Sequence, residues 1–231
     1  MSAACHPGDV EPMNRTPGVV TVYADLVCPF ASLVLHRLRS TRARLGLDVQ
    51  LDIRAFPLEL VNRRPHALDL HEREKPAVRA VEPALDWRPW RGPRDAWPIT
   101  TLLALEAVQA AKHPEVGGLA ASDEFDAALR RALYLDSRCI ALLPVVLEVA
   151  EEVHDMDRGG LAAALQHGSA RAELMGHAWL AEHGVVKGSP HVFTPDGREW
   201  LNAGFEVDHD RHEVTVTNRD AGVYEEILRA A

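Results

Sequence analysis

Cysteine is scarce in this chain: Cys5, Cys28 and Cys139 are the whole supply, and no two stand at a motif spacing. An odd number without paired spacing argues against a disulfide framework and points to a reducing, cytoplasmic setting. Aromatic residues make up only 6%, and no apolar run approaches the roughly 20 residues that a membrane span requires. Net positive charge is also missing. With 25 basic against 34 acidic residues the formal net charge is −9, which leaves no general basic face for a nucleic acid or other polyanion. Internal repeats and low-complexity tracts are absent. The opening residues, "MSAACHPGDVEPMNRTPG", carry neither a basic n-region nor an apolar h-region, so no signal peptide is expected there. They suggest a polar tail, disordered through residue 16. Histidine offers little for a metal. His209 and His212 of "HDRH" come nearest to a ligand pair, and their charged surroundings suit a solvated loop, so no metal site is expected.

What remains has the composition of an ordinary globular protein, 47% hydrophobic and 26% charged over 231 residues. That length suits one large domain or one domain with an insertion. The β-branched run from Val19 to Ala24 predicts a buried central strand. A helix is expected from Pro29 to Leu45, stopped by Gly46, with Phe30, Leu33, Val34, Leu38 and Leu45 on its apolar side. Arg37, Arg39, Arg42 and Arg44 are expected to face water or the helix C-terminus. Alternation in "DVQLDIRAF" predicts a strand over 49–55, which completes a βαβ unit. From Leu58 to Trp97 the texture changes to Pro, Arg, His and Trp. Five helices follow between Ile99 and Gly184, with Thr100 or Thr101, Ser122 and Ser169 as expected N-caps and Pro144 at a helix start. A short strand from His191 to Thr194, the Pro195-Asp196-Gly197 turn and a second short strand make a hairpin. A terminal helix closes the chain. The expected division is therefore a tail (1–16), a first α/β part (17–58), a helical insertion (59–184) and a second α/β part (185–231).

The chemistry concentrates in "DLVCPFAS", Asp25 to Ser32. Cys28 falls at the end of a strand and at the start of a helix. Unpaired N–H groups and the positive end of the helix dipole stabilise a thiolate there. Pro29 fits the first helical position. A second stretch, "KGSP" from Lys187 to Pro190, leads into the hairpin.

"DLVCPFAS" and "GVVKGSPHVFTPDG" together resemble the DsbA-like branch of the thioredoxin superfamily, in the subgroup with large helical insertions that includes FrnE-type proteins. The resemblance runs through most of the chain. It implies an α/β thioredoxin-like fold with a large helical insertion, a nucleophilic Cys28, and a cis Pro190 lying against it. Members of that branch carry Cys-Pro-x-Cys, whose second cysteine resolves the mixed disulfide; this chain has Ala31 there. Cys139 is expected to pack in the insertion, and Cys5 to be an incidental tail thiol. What the resemblance then implies is an oxidoreductase working through one cysteine, with glutathione or mycothiol as co-substrate and no tightly bound cofactor. Related kappa-class glutathione transferases and hydroxychromene-carboxylate isomerases have Ser-Pro at this position. They imply a second reading, a thiol-cofactor-dependent isomerase or transferase acting on a small organic molecule. A third is a catalytically inactive thioredoxin-like binding module.

The expected thiol- and substrate-binding residues are Pro29, Phe30, Ala31, Ser32, Ser189 and His191. His191 either turns toward Cys28, as an acid/base or to lower its pKa, or points away. Trp87, Trp90 and Arg91 of "DWRPWRGPRDAWP" are either packing anchors or one wall of a pocket above Cys28 for an anionic or aromatic substrate. Partners are expected to be a small thiol and a small molecule, with no nucleic acid and no membrane. Kappa-type relatives tend to be dimers, which puts a homodimer among the expectations.

Overall fold

A computed structural model describes residues 10–210 and 213–231. Cys5, the first nine residues of the expected tail, and His212 lie outside the described residues. Strand β1 (Val19–Ala24) is buried along its whole length and forms the middle of a four-stranded sheet ordered β2-β1-β3-β4. Helix α1 (Pro29–Leu45) follows and ends at Gly46, which adopts left-handed angles (φ 61°, ψ 33°) open to glycine without a Cβ penalty. Strand β2 (Gln50–Ala55) runs parallel to β1, pairing Val19 with Gln50 through Ala24 with Ala55. Strands β3 (His191–Phe193) and β4 (Glu199–Leu201) form the hairpin, and β3 lies antiparallel to β1 with Tyr23 opposite His191.

Between β2 and β3 the chain is helical: α2 (Leu58–Val61), α3 (Leu68–Val81), α4 (Leu102–Ala111), α5 (Gly118–Tyr134), α6 (Leu143–Ala150), α7 (Arg158–His167) and α8 (Arg171–Glu182). After the hairpin come β5 (Phe205–His209) and β6 (Val214–Asn218), a separate two-stranded ribbon, and then α9 (Val223–Arg229). Among the described residues no helix is long and apolar enough to cross a membrane.

Several sequence expectations need correction. Residues 10–16 are not a disordered tail: Val10 and Met13 pack on the cluster around Tyr23 and Phe193, and Asn14 N donates to Thr21 Oγ1 at 2.8 Å. Arg39 and Arg42 leave the solvent for Asp123 and Asp126 of α5, and Arg37 binds Glu82 and the Val81 carbonyl. Ser122 and Ser169 cap nothing. Helix α5 starts at Gly118, so Ser122 lies inside it and donates to Val108 O, while Ser169 turns back to Ala164 O. Within the Pro- and Trp-rich stretch stands a 14-residue helix, α3.

Candidate active site

Cys28 is the N-cap of α1, with extended backbone angles (φ −80°, ψ 114°) and Pro29 in the first turn. The strand, the turn and the helix are tied by one acid. Asp25 is fully buried; its Oδ1 accepts from Val27 N (3.1 Å) and its Oδ2 from Leu58 N (2.8 Å). Its own N–H donates to Ser189 Oγ at 2.9 Å. One residue thereby joins β1, the start of α2 and the loop before β3 across 164 positions of sequence. The Ser189–Pro190 bond is cis, and the Cys28 thiol donates to the Ser189 carbonyl at 3.1 Å.

The thiol is covered, with Cys28 only 4% exposed. Burial pushes it up to about 12, and the charges of Glu74 and Asp25 add to the rise. Hydrogen bonding from Ser189 and the Ala31 N–H works the other way and loses. At rest Cys28 is therefore a neutral S–H donor, although it sits at a helix N-terminus.

The rest of the first turn is equally enclosed. Phe30 lies against Phe205 and His209 of β5, at ring separations of 6.4 and 5.9 Å. Ala31 is fully buried. Ser32 donates to the Cys28 carbonyl (3.2 Å) and accepts from Arg130 Nη1 (2.8 Å). The same Arg130 nitrogen donates to the Asp25 carbonyl at 3.0 Å, so α5 braces the loop ahead of the cysteine. Asp126 holds Arg130 by both oxygens, at 2.9 and 3.0 Å.

Helix α3 lies over this turn. His71 is 1% exposed, and its Nδ1 is 3.2 Å from the Val27 carbonyl. One helical turn on, Glu74 Oε2 faces His66 Nε2 at 3.3 Å, both side chains enclosed. Neither atom completes a hydrogen bond, and neither does the hydroxyl of Tyr134. Burial drives His71 well below its ordinary value, so it is neutral. None of His66, His71, Glu74, Arg130 and Tyr134 was picked out from the sequence. The signal lay in the 3.6-residue spacing of Leu68, His71, Lys75 and Val78, hidden because polar residues fill the buried face and Pro76 interrupts it.

His191 points away from Cys28. It shares a sheet face with Phe193 (ring separation 4.3 Å), accepts from Lys187 N at Nδ1, and lies 3.4 Å from Glu199 at Nε2. Burial pushes it down to about 4. Strand alternation decides this, since Val192 takes the face toward the cluster that holds Cys28. Of the two roles expected for Trp87, Trp90 and Arg91, packing accounts for the contacts of these residues. Trp87 packs on Tyr134 at 4.4 Å and also lines a cleft of about 230 Å³ with Ser32, His36, Arg130, Arg131 and Leu135. Trp90 packs edge-on against Trp97, and Arg91 binds the Leu135 carbonyl at 2.8 Å; these two act as anchors. Cys139 is a half-buried free thiol. Among the described residues no group of three or more His, Cys, Asp or Glu side chains could hold a metal ion.

A sheet that sets a helix-capping cysteine against a prolyl loop defines a thioredoxin-type protein. The chain belongs to the family described as the DSBA-like thioredoxin domain, which it matches over residues 19–211. It superposes on a probable DsbA oxidoreductase from Streptomyces coelicolor with a TM-score of 0.62 at 16% identity, covering 91% of this chain and 88% of that one. The cytosolic disulfide reductase DsbM from Pseudomonas aeruginosa, solved with GSH, gives 0.55 at 17% identity over 91% and 96%. A 2-hydroxychromene-2-carboxylate isomerase gives 0.56 at 16% over 79% and 88%. These likenesses establish the shared fold. No curated protein matches in sequence.

Proposed function

We propose that the chain is a thiol oxidoreductase acting through Cys28 alone, with a low-molecular-weight thiol of the glutathione or mycothiol kind as its second thiol. The observation that carries this reading is the juxtaposition of Cys28 Sγ with the Ser189 carbonyl at 3.1 Å, on the loop that leads into β3, the strand paired with β1. An extended disulfide laid along that loop would present its sulfur to Cys28. The Cys28 thiolate attacks one sulfur, the S–S bond breaks, and the departing thiolate takes up the proton that Cys28 gave up. A second small thiol then attacks the mixed disulfide and frees Cys28. Ala31 supplies no internal alternative. The buried, protonated resting state keeps the thiol idle until a ligand displaces what covers it. DsbM, similar in fold, is a disulfide reductase solved with GSH, which supports glutathione as the first thiol to try.

The test is incubation with oxidised glutathione followed by intact mass measurement, in a chain with Cys5 and Cys139 replaced by serine. One glutathione adduct is expected, and none after Cys28→Ser. No adduct on the protein that keeps Cys28, or an equal adduct on the Cys28→Ser form, would sink the proposal.

A second reading is favoured by the raised Cys28 pKa and its acidic neighbours. A neutral S–H suits a donor to the thiolate of a bound cofactor better than it suits a resident nucleophile, as in a thiol-dependent isomerase or transferase. Under that reading Cys28→Ser keeps most of the activity, because a hydroxyl donates as well.

A further inference from the structure

Tyr134, the last residue of α5, is 1% exposed, and its hydroxyl makes no hydrogen bond. Its ring is held on two sides, by Trp87 at 4.4 Å and His71 at 4.8 Å. His71 in turn rests on the carbonyl of Val27, the residue before Cys28. Through His71 the ring is tied to the turn that carries Cys28, and Ser32 and Cys28 are both among the groups that shift the phenol. Ser32 is its nearest polar neighbour in that turn, but the Ser32 hydroxyl bonds Cys28 O and Arg130 and makes no hydrogen bond to it. Burial pushes the phenol well above its ordinary value, so it remains a donor.

A buried hydroxyl without a partner works against the fold, and a phenylalanine would fill the same space without that penalty. The surroundings of Cys28 also lack what a thiolate needs. Glu74 and Asp25 repel negative charge there, and the favourable groups, hydrogen bonding from Ser189 and the Ala31 N–H, do not offset the burial. The geometry points to Tyr134 as a hydrogen-bond donor reserved for an anionic sulfur, the thiolate of Cys28 or that of a small thiol bound over it. This rests on the reading above that the site handles thiolates. The hydroxyl is idle in the closed state and engaged once the sulfur carries charge.

The experiment compares full-length chains carrying Cys5→Ser and Cys139→Ser, with Tyr134 intact or replaced by phenylalanine. The pH profile of Cys28 alkylation by iodoacetamide and the melting temperature are measured for both. Y134F is expected to move the profile to higher pH, slowing alkylation on the order of tenfold at fixed pH, the strength of a hydrogen bond to a charged acceptor. Its melting temperature is expected to stay the same or rise. A parallel pair carrying Cys28→Ser reads the ultraviolet thiolate absorbance of bound glutathione against pH. A shift confined to that pair assigns the donor to the bound thiol, and a shift in Cys28 alkylation assigns it to Cys28. Unmoved profiles in both pairs overturn the inference, whether the melting temperature falls or holds. A protein that retains Tyr134 but neither labels at Cys28 nor binds glutathione overturns the functional reading as well, and so the two failures are told apart.

Discussion

Two polar clusters flank α1, and they are built on opposite rules. On the α5 side, Asp123 and Asp126 are matched by Arg39, Arg42 and Arg130 at 2.7 to 2.9 Å, and Nη1 of Arg42 and of Arg130 reaches a backbone carbonyl. On the α3 side, His66, Glu74 and Tyr134 each keep a buried polar atom without a hydrogen bond. The first cluster is saturated and therefore structural: it locks α5 onto α1 and onto the turn before Cys28. The second is incomplete, and its Glu74 is, with Asp25, one of the acids whose charge reaches the thiol. Saturation rather than burial marks the difference, since the saturated cluster keeps Arg39 and Arg42 at 20% and 27% side-chain exposure while His66 and Glu74 of the incomplete one are at 9% and 6%.

Breaking the saturated cluster carries the largest effect. Asp126→Ala leaves Arg130 and part of Arg39 as buried charges without their acid, and a loss of about 3–5 kcal/mol is expected. Chemical denaturation measures it. A loss below about 1 kcal/mol would show that the cluster does not hold α5 to α1.

Acid comes next, and it sorts the groups by sign. His71, His177 and His191 have folded values lowered by burial, His191 to about 4. Unfolded histidine takes up a proton near 6.5 while these buried rings refuse it. Their stabilising contribution is therefore complete above that value and is lost as pH falls toward 4. The Asp126 carboxyl is also held low in the fold, against its own burial, by Arg130 and Arg39. Its contribution persists above its unfolded value near 3.8 and fails only in stronger acid. Melting temperatures across pH 7 to 3 should decline in two stages, the first flattened by His71→Gln. A single decline confined to the carboxylate range would refute the histidine part.

Smallest in size but sharpest in sign is Glu74→Gln. Removing a negative charge that opposes the thiolate should accelerate Cys28 alkylation a few-fold at fixed pH, opposite to Tyr134→Phe. If both variants move the profile the same way, the side chains matter through packing rather than charge.

How far the sequence revealed all this follows the range of each interaction. Strand β1, helix α1 and the β3–β4 hairpin rest on local pattern and turn chemistry, and they stand as expected within one or two residues. The Cys28 cap was legible for the same reason. The coverage of Cys28 was not, because it comes from α3, whose inward face is His71, Glu74 and Lys75 instead of an apolar stripe. Strands β5 and β6 were missed although Phe205 and Val207, and Val214 and Val216, alternate with polar residues and pack on the core; each run is only five residues long and is flanked by charged residues. Helix N-caps failed at Ser122 and Ser169, whose hydroxyls serve carbonyls of earlier residues. The Asp25–Ser189 link joins residues too far apart for any local period to register.

Ala31 is fully enclosed one turn from a sulfur that, among the described residues, has no disulfide partner. Under the proposed reading, freeing Cys28 is then a collision rather than a rearrangement. Turnover becomes second order, rising in proportion to free thiol until the chemistry of the first step limits it. Such a protein works at the speed of the surrounding reduced-thiol pool, and when that pool is depleted it waits in its capped form.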